Sequence, residues 1–175
     1  MKKFAARLQV FYVKVMIWFI GRLLEAASKV DKKIQGEIKA LPEDFAFSMG
    51  VLPNGPDFTV QKQADGTFYC SRKNDKLPVS LTISFKHVKH AFLVLSFQES
   101  TARSFANDRM LLDGEINLAM IVVRCLDRME VLVLPKFIAK RAVKRYPPIS
   151  LWEKISLALL IYFYLIAGLF RRRHV

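Results

Sequence analysis

The chain has 175 residues, 53% of them apolar, and a net charge of +13. That length holds one compact domain with appendages. Its charge is divided unevenly: residues 1–40 carry nine Lys/Arg against three acids, 41–135 ten against eleven, and 136–175 nine against one. The basic ends are also the most apolar segments, which argues against a nucleic-acid partner and for an anionic bilayer surface.

The first thirty residues, MKKFAARLQVFYVKVMIWFIGRLLEAASKV, begin like a secretory signal. Lys14 interrupts the hydrophobic stretch, Arg22 follows it, and EAA is a poor cleavage site. A helical wheel groups Lys3, Arg7, Lys14 and Glu25 on one side and sets Phe11, Val15, Trp18 and Phe19 against them. Residues 1–29 are therefore expected to form an amphipathic membrane-associating helix, with a signal anchor as the alternative.

A short helix is expected over DKKIQGEIKA (31–40), ending at Leu41-Pro42. Strand signals follow. EDFAFSMGVL alternates, with Phe45, Phe47 and Met49 on one side. Phe58 and Val60 precede an Ala64-Asp65-Gly66 turn, and Phe68 and Cys70 follow it, which predicts a hairpin. VSLTISF sets Leu81, Ile83 and Phe85 opposite Thr82 and Ser84. One greasy and one polar face describe an antiparallel sheet covered on one side. Helical segments are expected over KHVKHAFLVLSFQESTARSFAND, broken before Phe105, and a strand over RMLLDGE. INLAMIVVRCL (116–126) is apolar nearly all round and predicts a helix buried on several sides, and EVLVLP predicts a last strand.

The stretch LTISFKHVKHAF, continued by FANDRMLLDGEINLAMIVVRCL, resembles the sterol carrier protein 2 (SCP2) domain. The likeness rests on Leu81–Phe85, the Asp113-Gly114 turn and Leu118-Ala119-Met120, and it covers residues 30–135. Two features depart from the family pattern: Glu115-Ile116-Asn117 after the glycine, and the hydrophobic helices at both ends. The resemblance implies an α+β fold: a five-stranded, mostly antiparallel sheet with helices on one face and an apolar, lipid-accepting cavity between them. Family members bind sterols, acyl chains or isoprenoid lipids, and some bacterial relatives assist ubiquinone biosynthesis. The expected cavity lining is Phe47, Leu81, Ile83, Phe92, Phe97, Met110, Leu112, Leu118, Ile121 and Val122, although such residues also fill cores.

Nothing in the middle reads as an enzyme. His87 and His90 stand one helical turn apart but lack a third ligand at useful spacing. Ser96, Ser100 and Ser104 lack a nucleophile-elbow context, and Asp108, Asp113 and Glu115 read as solvated ends. Cys70 and Cys125 have no paired spacing and read as reduced thiols, in keeping with the cytosol. No metal or cofactor is expected, and a lipid or quinone is the expected bound molecule.

Residues 136–148 form a basic juxtamembrane helix on this reading. Lys136, Lys140, Arg141, Lys144 and Arg145 recur there at helical spacing. Residues 149–175 form a hydrophobic anchor. Its uncharged run, Ile155 to Phe170, is sixteen residues, short of the about 20 that a span needs. Trp152 before it suits an interfacial belt, and Arg171, Arg172 and Arg173 can snorkel beyond it. No face of the run is polar, which favours insertion over an in-plane helix, and the Tyr162–Tyr164 pair leaves helix packing open. Six basic residues from Lys136 to Lys154 against three arginines beyond place the domain on the cytoplasmic side if the tail spans. The sequence thus predicts a non-catalytic, membrane-attached lipid-handling protein whose partners are membrane lipids and anionic headgroups. An accessory subunit of a larger membrane protein complex is the alternative.

Overall fold

The period-two alternation in the middle of the chain produces a five-stranded sheet. The computed structural model describes residues 2–71, 78–142 and 149–171, with side chains at 6–71, 78–139 and 149–168. The strands are β1 (Ala46–Val51), β2 (Asp57–Lys62), β3 (Phe68–Cys70), β4 (Leu81–Phe85) and β5 (Met110–Gly114), in the order β3-β2-β1-β4-β5. Three neighbouring pairs are antiparallel and β1–β4 is parallel, so the sheet is mixed.

The register builds one apolar layer. Phe47 lies between Val60 and Leu81, Met49 between Phe58 and Ile83, and Ile83 reaches on to Leu112. Ser48, Thr59, Thr82 and Ser84 point to the other face and are half-exposed. The Phe47 ring meets Phe58 at 5.8 Å and Phe68 at 5.9 Å, both edge-to-face, a geometry that adds to the burial of the rings. At the end of β5, Gly114 has φ +123, and a Cβ there would stand 2.7 Å from the Ser80 carbonyl oxygen.

Among the described residues seven helices complete the fold: α1 (Lys2–Val30), α2 (Lys32–Lys39), α3 (Val88–Leu95), α4 (Thr101–Ala106), α5 (Ile116–Val133), α6 (Lys136–Ala142) and α7 (Leu151–Arg171). The first of them is built into the core. Val13, Ile17, Leu24 and Ala27 are fully buried, and Gly21 lets the helix backbone approach β2 so closely that a Cβ would lie 2.8 Å from Phe58 Cγ. α1 also closes one edge of the sheet: Phe68 N–H donates to Ser28 Oγ at 2.9 Å and Cys70 N–H to Glu25 Oε2 at 3.3 Å. Outward donors of an edge strand are thereby satisfied inside the chain.

Between α1 and α2, buried Asp31 caps the second helix, accepting from the Lys33 and Ile34 amides, and binds Arg128 Nε of α5 at 2.8 Å.

Three expectations need correction. EVLVLP is not a strand: α5 continues through Val133, because Met129 and Leu132 extend the buried series Ala119, Val122 and Cys125 at helical spacing. Its β-branched residues imitate a strand, and tertiary packing overrides them. The start of α5 is also less enclosed than its composition suggests, with Ile116 and Met120 exposed.

The third concerns α1. At 100° per residue Lys14 lies only about 40° from Trp18, and Arg7, Phe11, Lys14, Val15 and Trp18 all face outward. Opposite them is the buried face of Val13, Ile17 and Leu24, and Glu25 serves the sheet edge.

Candidate functional site

Nine of the ten residues expected to line a cavity come together. Phe47, Leu81, Ile83, Met110 and Val122 belong to the buried core, and Phe92, Leu112, Leu118 and Ile121 pack against it. They come from β1, β4, β5, α3 and α5, and converge between the sheet and its helices. Phe97 stands apart, in the α3–α4 connection with φ 59.

Phe97 lines an open cleft of about 510 Å³ with Ser96, Gln98, Glu99, Arg103, Phe137 and neighbouring residues. That is within the size range of small-molecule sites. Its lining includes the charged Arg103 and the aromatic Phe97 and Phe137. The Glu99 carboxylate is engaged by Arg109 at 2.7 Å and by Asn107 at 2.8 Å.

The other candidate surface is made by the two long terminal helices. Along α7 the residues Lys154, Leu157, Ile161, Leu165 and Gly168 recur every three or four positions on one side. Ile161 is fully buried, Leu157 and Leu165 pack on the core, and Leu165 and Gly168 meet Arg22, Glu25, Ala26 and Lys29 of α1 across a small cleft. Lys154 Nζ donates to the Leu134 carbonyl oxygen at 2.6 Å. The opposite side carries Trp152, Ile155, Leu159, Phe163 and Ile166, all exposed.

α1 displays a related stripe. Leu8, Phe11, Val15 and Trp18 are exposed and run directly into Arg22, Glu25 and Lys29, which line the cleft with α7. Exposed Arg7 and Lys14 flank that stripe, and Lys136 is exposed at the start of α6. Of the other basic residues expected at a membrane surface, Lys3, Lys140, Arg141 and Arg171 lie in helices whose side chains there are not described. Lys144, Arg145, Arg172 and Arg173 fall outside the described residues.

Two groups escaped the sequence reading. Burial pushes the Glu130 carboxyl of α5 up to about 8, with neighbouring Asp127 adding to the effect, and pushes Asp127 up to about 6. Their i, i+3 spacing resembles any solvated helix face, so only the packed structure distinguishes them. The ring interaction of His87 and His90 (5.4 Å between centroids) leaves His90 Nδ1 buried without a partner, and burial lowers the His90 pKa. Among the described residues no three His, Cys, Asp or Glu side chains converge as a metal site would require. Both cysteines are buried and unbridged, and burial raises their thiols to about 11 at Cys70 and about 12 at Cys125.

No protein-family model matches the chain, and no curated protein matches it. Solved structures do. The sterol carrier protein domain 2 of Helicoverpa armigera is 15% identical, with 65% of this chain and 87% of that one covered at TM-score 0.46. Sterol carrier protein 2 of Yarrowia lipolytica is 12% identical, covering 63% and 88% at TM-score 0.45. The UbiJ-SCP2 ubiquinone synthesis protein is 9% identical, covering 66% and 92% at TM-score 0.48. In fold, this chain is similar to sterol carrier protein 2 domains.

Proposed function

We propose that this protein is a non-catalytic lipid-handling protein that works at a membrane surface. The observation that carries the reading is the uncovered apolar side of the two long helices: Phe11, Val15 and Trp18 on α1, and Trp152, Ile155, Leu159 and Phe163 on α7. Contiguous apolar surface of this kind on a chain of net charge +13 suits an anionic bilayer, where apolar insertion and headgroup attraction add. The domain faces the cytoplasm on this reading.

The ligand is an apolar chain, a sterol, acyl lipid or isoprenoid of the quinone type, taken up between the sheet and α3–α5 where Phe47, Leu81, Ile83, Phe92, Met110, Leu112, Leu118, Ile121 and Val122 converge, with Phe97 at an outer cleft. Burial of ligand surface drives uptake at about 0.8 kcal/mol per methylene. The test is flotation of purified protein with phosphatidylglycerol-containing vesicles, followed by mass spectrometry of lipid released from mildly extracted protein. Flotation with a reproducible, stoichiometric lipid is expected, and the absence of both vesicle binding and retained lipid would refute the proposal.

One observation favours a second reading. Five of the nine converging residues are buried in the core and the other four pack against it, which suits an accessory subunit that docks its terminal helices on a membrane complex. A stable stoichiometric protein partner, with no lipid in the domain, would select that alternative.

A further inference from the structure

We propose that α7 lies flat in one leaflet of an anionic bilayer, docked along α1, and does not cross the membrane. The inference deepens the membrane-attached reading and rests on it. By length and composition the Leu151–Gly168 stretch is able to span. Its contacts specify a different use.

One side of α7 meets the fold at several points along its length. Near its start Lys154 holds the Leu134 carbonyl, and Glu153 lies 3.8 Å from Arg128. In the middle Ile161 is fully buried. Near its end Leu165 and Gly168 sit against Arg22, Glu25 and Lys29. From Lys154 to Gly168 this contact runs about 21 Å at 1.5 Å per residue. Crossing the bilayer would therefore strip Ile161 out of the core. If α1 followed α7 instead, Arg22, Glu25 and Lys29 would be drawn into hydrocarbon, where each charge costs at least about 2.5–3.5 kcal/mol.

An in-plane helix needs one apolar side and one side that is not exposed to lipid. The uncharged tail lacks a polar side, but its inner stripe is covered by protein, so the requirement is met by docking rather than by composition. Trp152, Ile155, Leu159, Phe163 and Ile166 then form a continuous lipid-facing stripe free of charge. α7 rests on α1 at positions 22–29 of its outward stripe and so lies outside it. That places α7 among the acyl chains and the Phe11–Trp18 stripe, flanked by Arg7 and Lys14, at headgroup level. A leaflet is half of a hydrocarbon core about 30 Å thick, deep enough for one helix. The charge also selects lipid over a second copy of the chain: two faces of a +13 protein repel each other, whereas anionic headgroups attract them.

The experiment moves a single tryptophan along the exposed side of α7. In a full-length Trp18→Phe, Trp152→Phe background, Ile155→Trp, Leu159→Trp, Phe163→Trp and Ile166→Trp are made one at a time. Quenching by spin labels at two depths is then measured in phosphatidylglycerol-containing vesicles. A helix in the plane puts all four at one depth, within about 4 Å. A helix spanning with Leu151–Gly168 centred on the bilayer would put position 159 about 1 Å and position 166 about 10 Å from the mid-plane, and that spread would overturn the proposal.

A second measurement uses Lys29→Cys with Tyr164→Cys, exposed residues that line the same cleft. Native Cys70 and Cys125 are buried and compete little for reagent. Cross-linking by a short bismaleimide on vesicles as efficiently as in solution supports docking, and its loss on vesicles alone would overturn it. Failure of the unsubstituted protein to float refutes the membrane reading itself, and self-association in sedimentation would then assign the face to a second copy.

Discussion

α1 and α7 have nearly the same ingredients, a long apolar helix with basic residues at its ends, and the fold uses them differently. α1 buries Val13, Ile17, Gly21 and Leu24, and its Glu25 and Ser28 complete the β3 edge. α7 commits one stripe, with Ile161 alone fully buried among its described side chains. What separates a structural helix from an attached one is therefore how many of its faces find partners in the chain. Average hydrophobicity, which is higher in α7, ranks them the wrong way round.

The sharpest way to break this contrast is to attack the shared approach of α1 and the sheet. Gly21→Leu inserts a side chain where even a Cβ would stand 2.8 Å from Phe58 Cγ and 3.0 Å from Cys70 Sγ. Overpacking of this kind costs about 1–3 kcal/mol and more where backbone must move. The variant is expected to lose cooperative thermal unfolding. Next comes Asp31→Ala, which removes the α2 cap and leaves Arg128, only 11% exposed, without its nearest carboxylate. Breaking a buried pair costs about 3–5 kcal/mol, which denaturant unfolding should register as a lower midpoint at unchanged slope.

On α7 the same substitution on opposite faces should give opposite results. Ile161→Asp buries an unpaired carboxylate at the α7 contact and is expected to lower stability by about 2–4 kcal/mol. Phe163→Asp lies on the exposed face, at 65% exposure, and should leave unfolding within about 0.5 kcal/mol of the parent. Its vesicle affinity should fall about tenfold or more. Equal effects of the two changes on stability and on binding would erase the distinction between the faces.

Much of this arrangement was legible beforehand. The five strands follow from alternation, since Phe47, Met49, Phe58, Val60, Leu81 and Ile83 all face the same layer. EVLVLP misled because a short β-branched run looks alike in a strand and at a helix end, and only the continuing series from Ala119 to Leu132 decides. The covered side of α7 was not legible. Its partners Arg22, Ala26 and Leu134 are distant in sequence, so an apolar tail with no polar face reads as an inserted anchor. Local pattern reports which residues avoid water, and only the fold reports whether protein or lipid receives them.

The last expected effect lies on α5, outside both terminal helices. Glu130 ionises near its ordinary 4.5 in the unfolded chain but only around 8 in the fold, because burial disfavours its charge. Between those values the folded state holds a proton that the unfolded state has released, so stability falls as pH rises. The contribution is fully present below about 4.5 and gone above about 8. Asp127, raised from 3.8 to about 6, adds a shallower loss at the acidic end of the window. Glu130→Gln keeps the shape and removes the titration. Its melting temperature should match the parent at pH 5 and exceed it by a few degrees at pH 9, while vesicle binding at either pH stays unchanged. A parent whose stability is flat from pH 5 to 9 would mean that Glu130 has found a compensating cation or water. A loss of vesicle binding in Glu130→Gln would instead place α5 in the membrane contact proposed for the terminal helices alone.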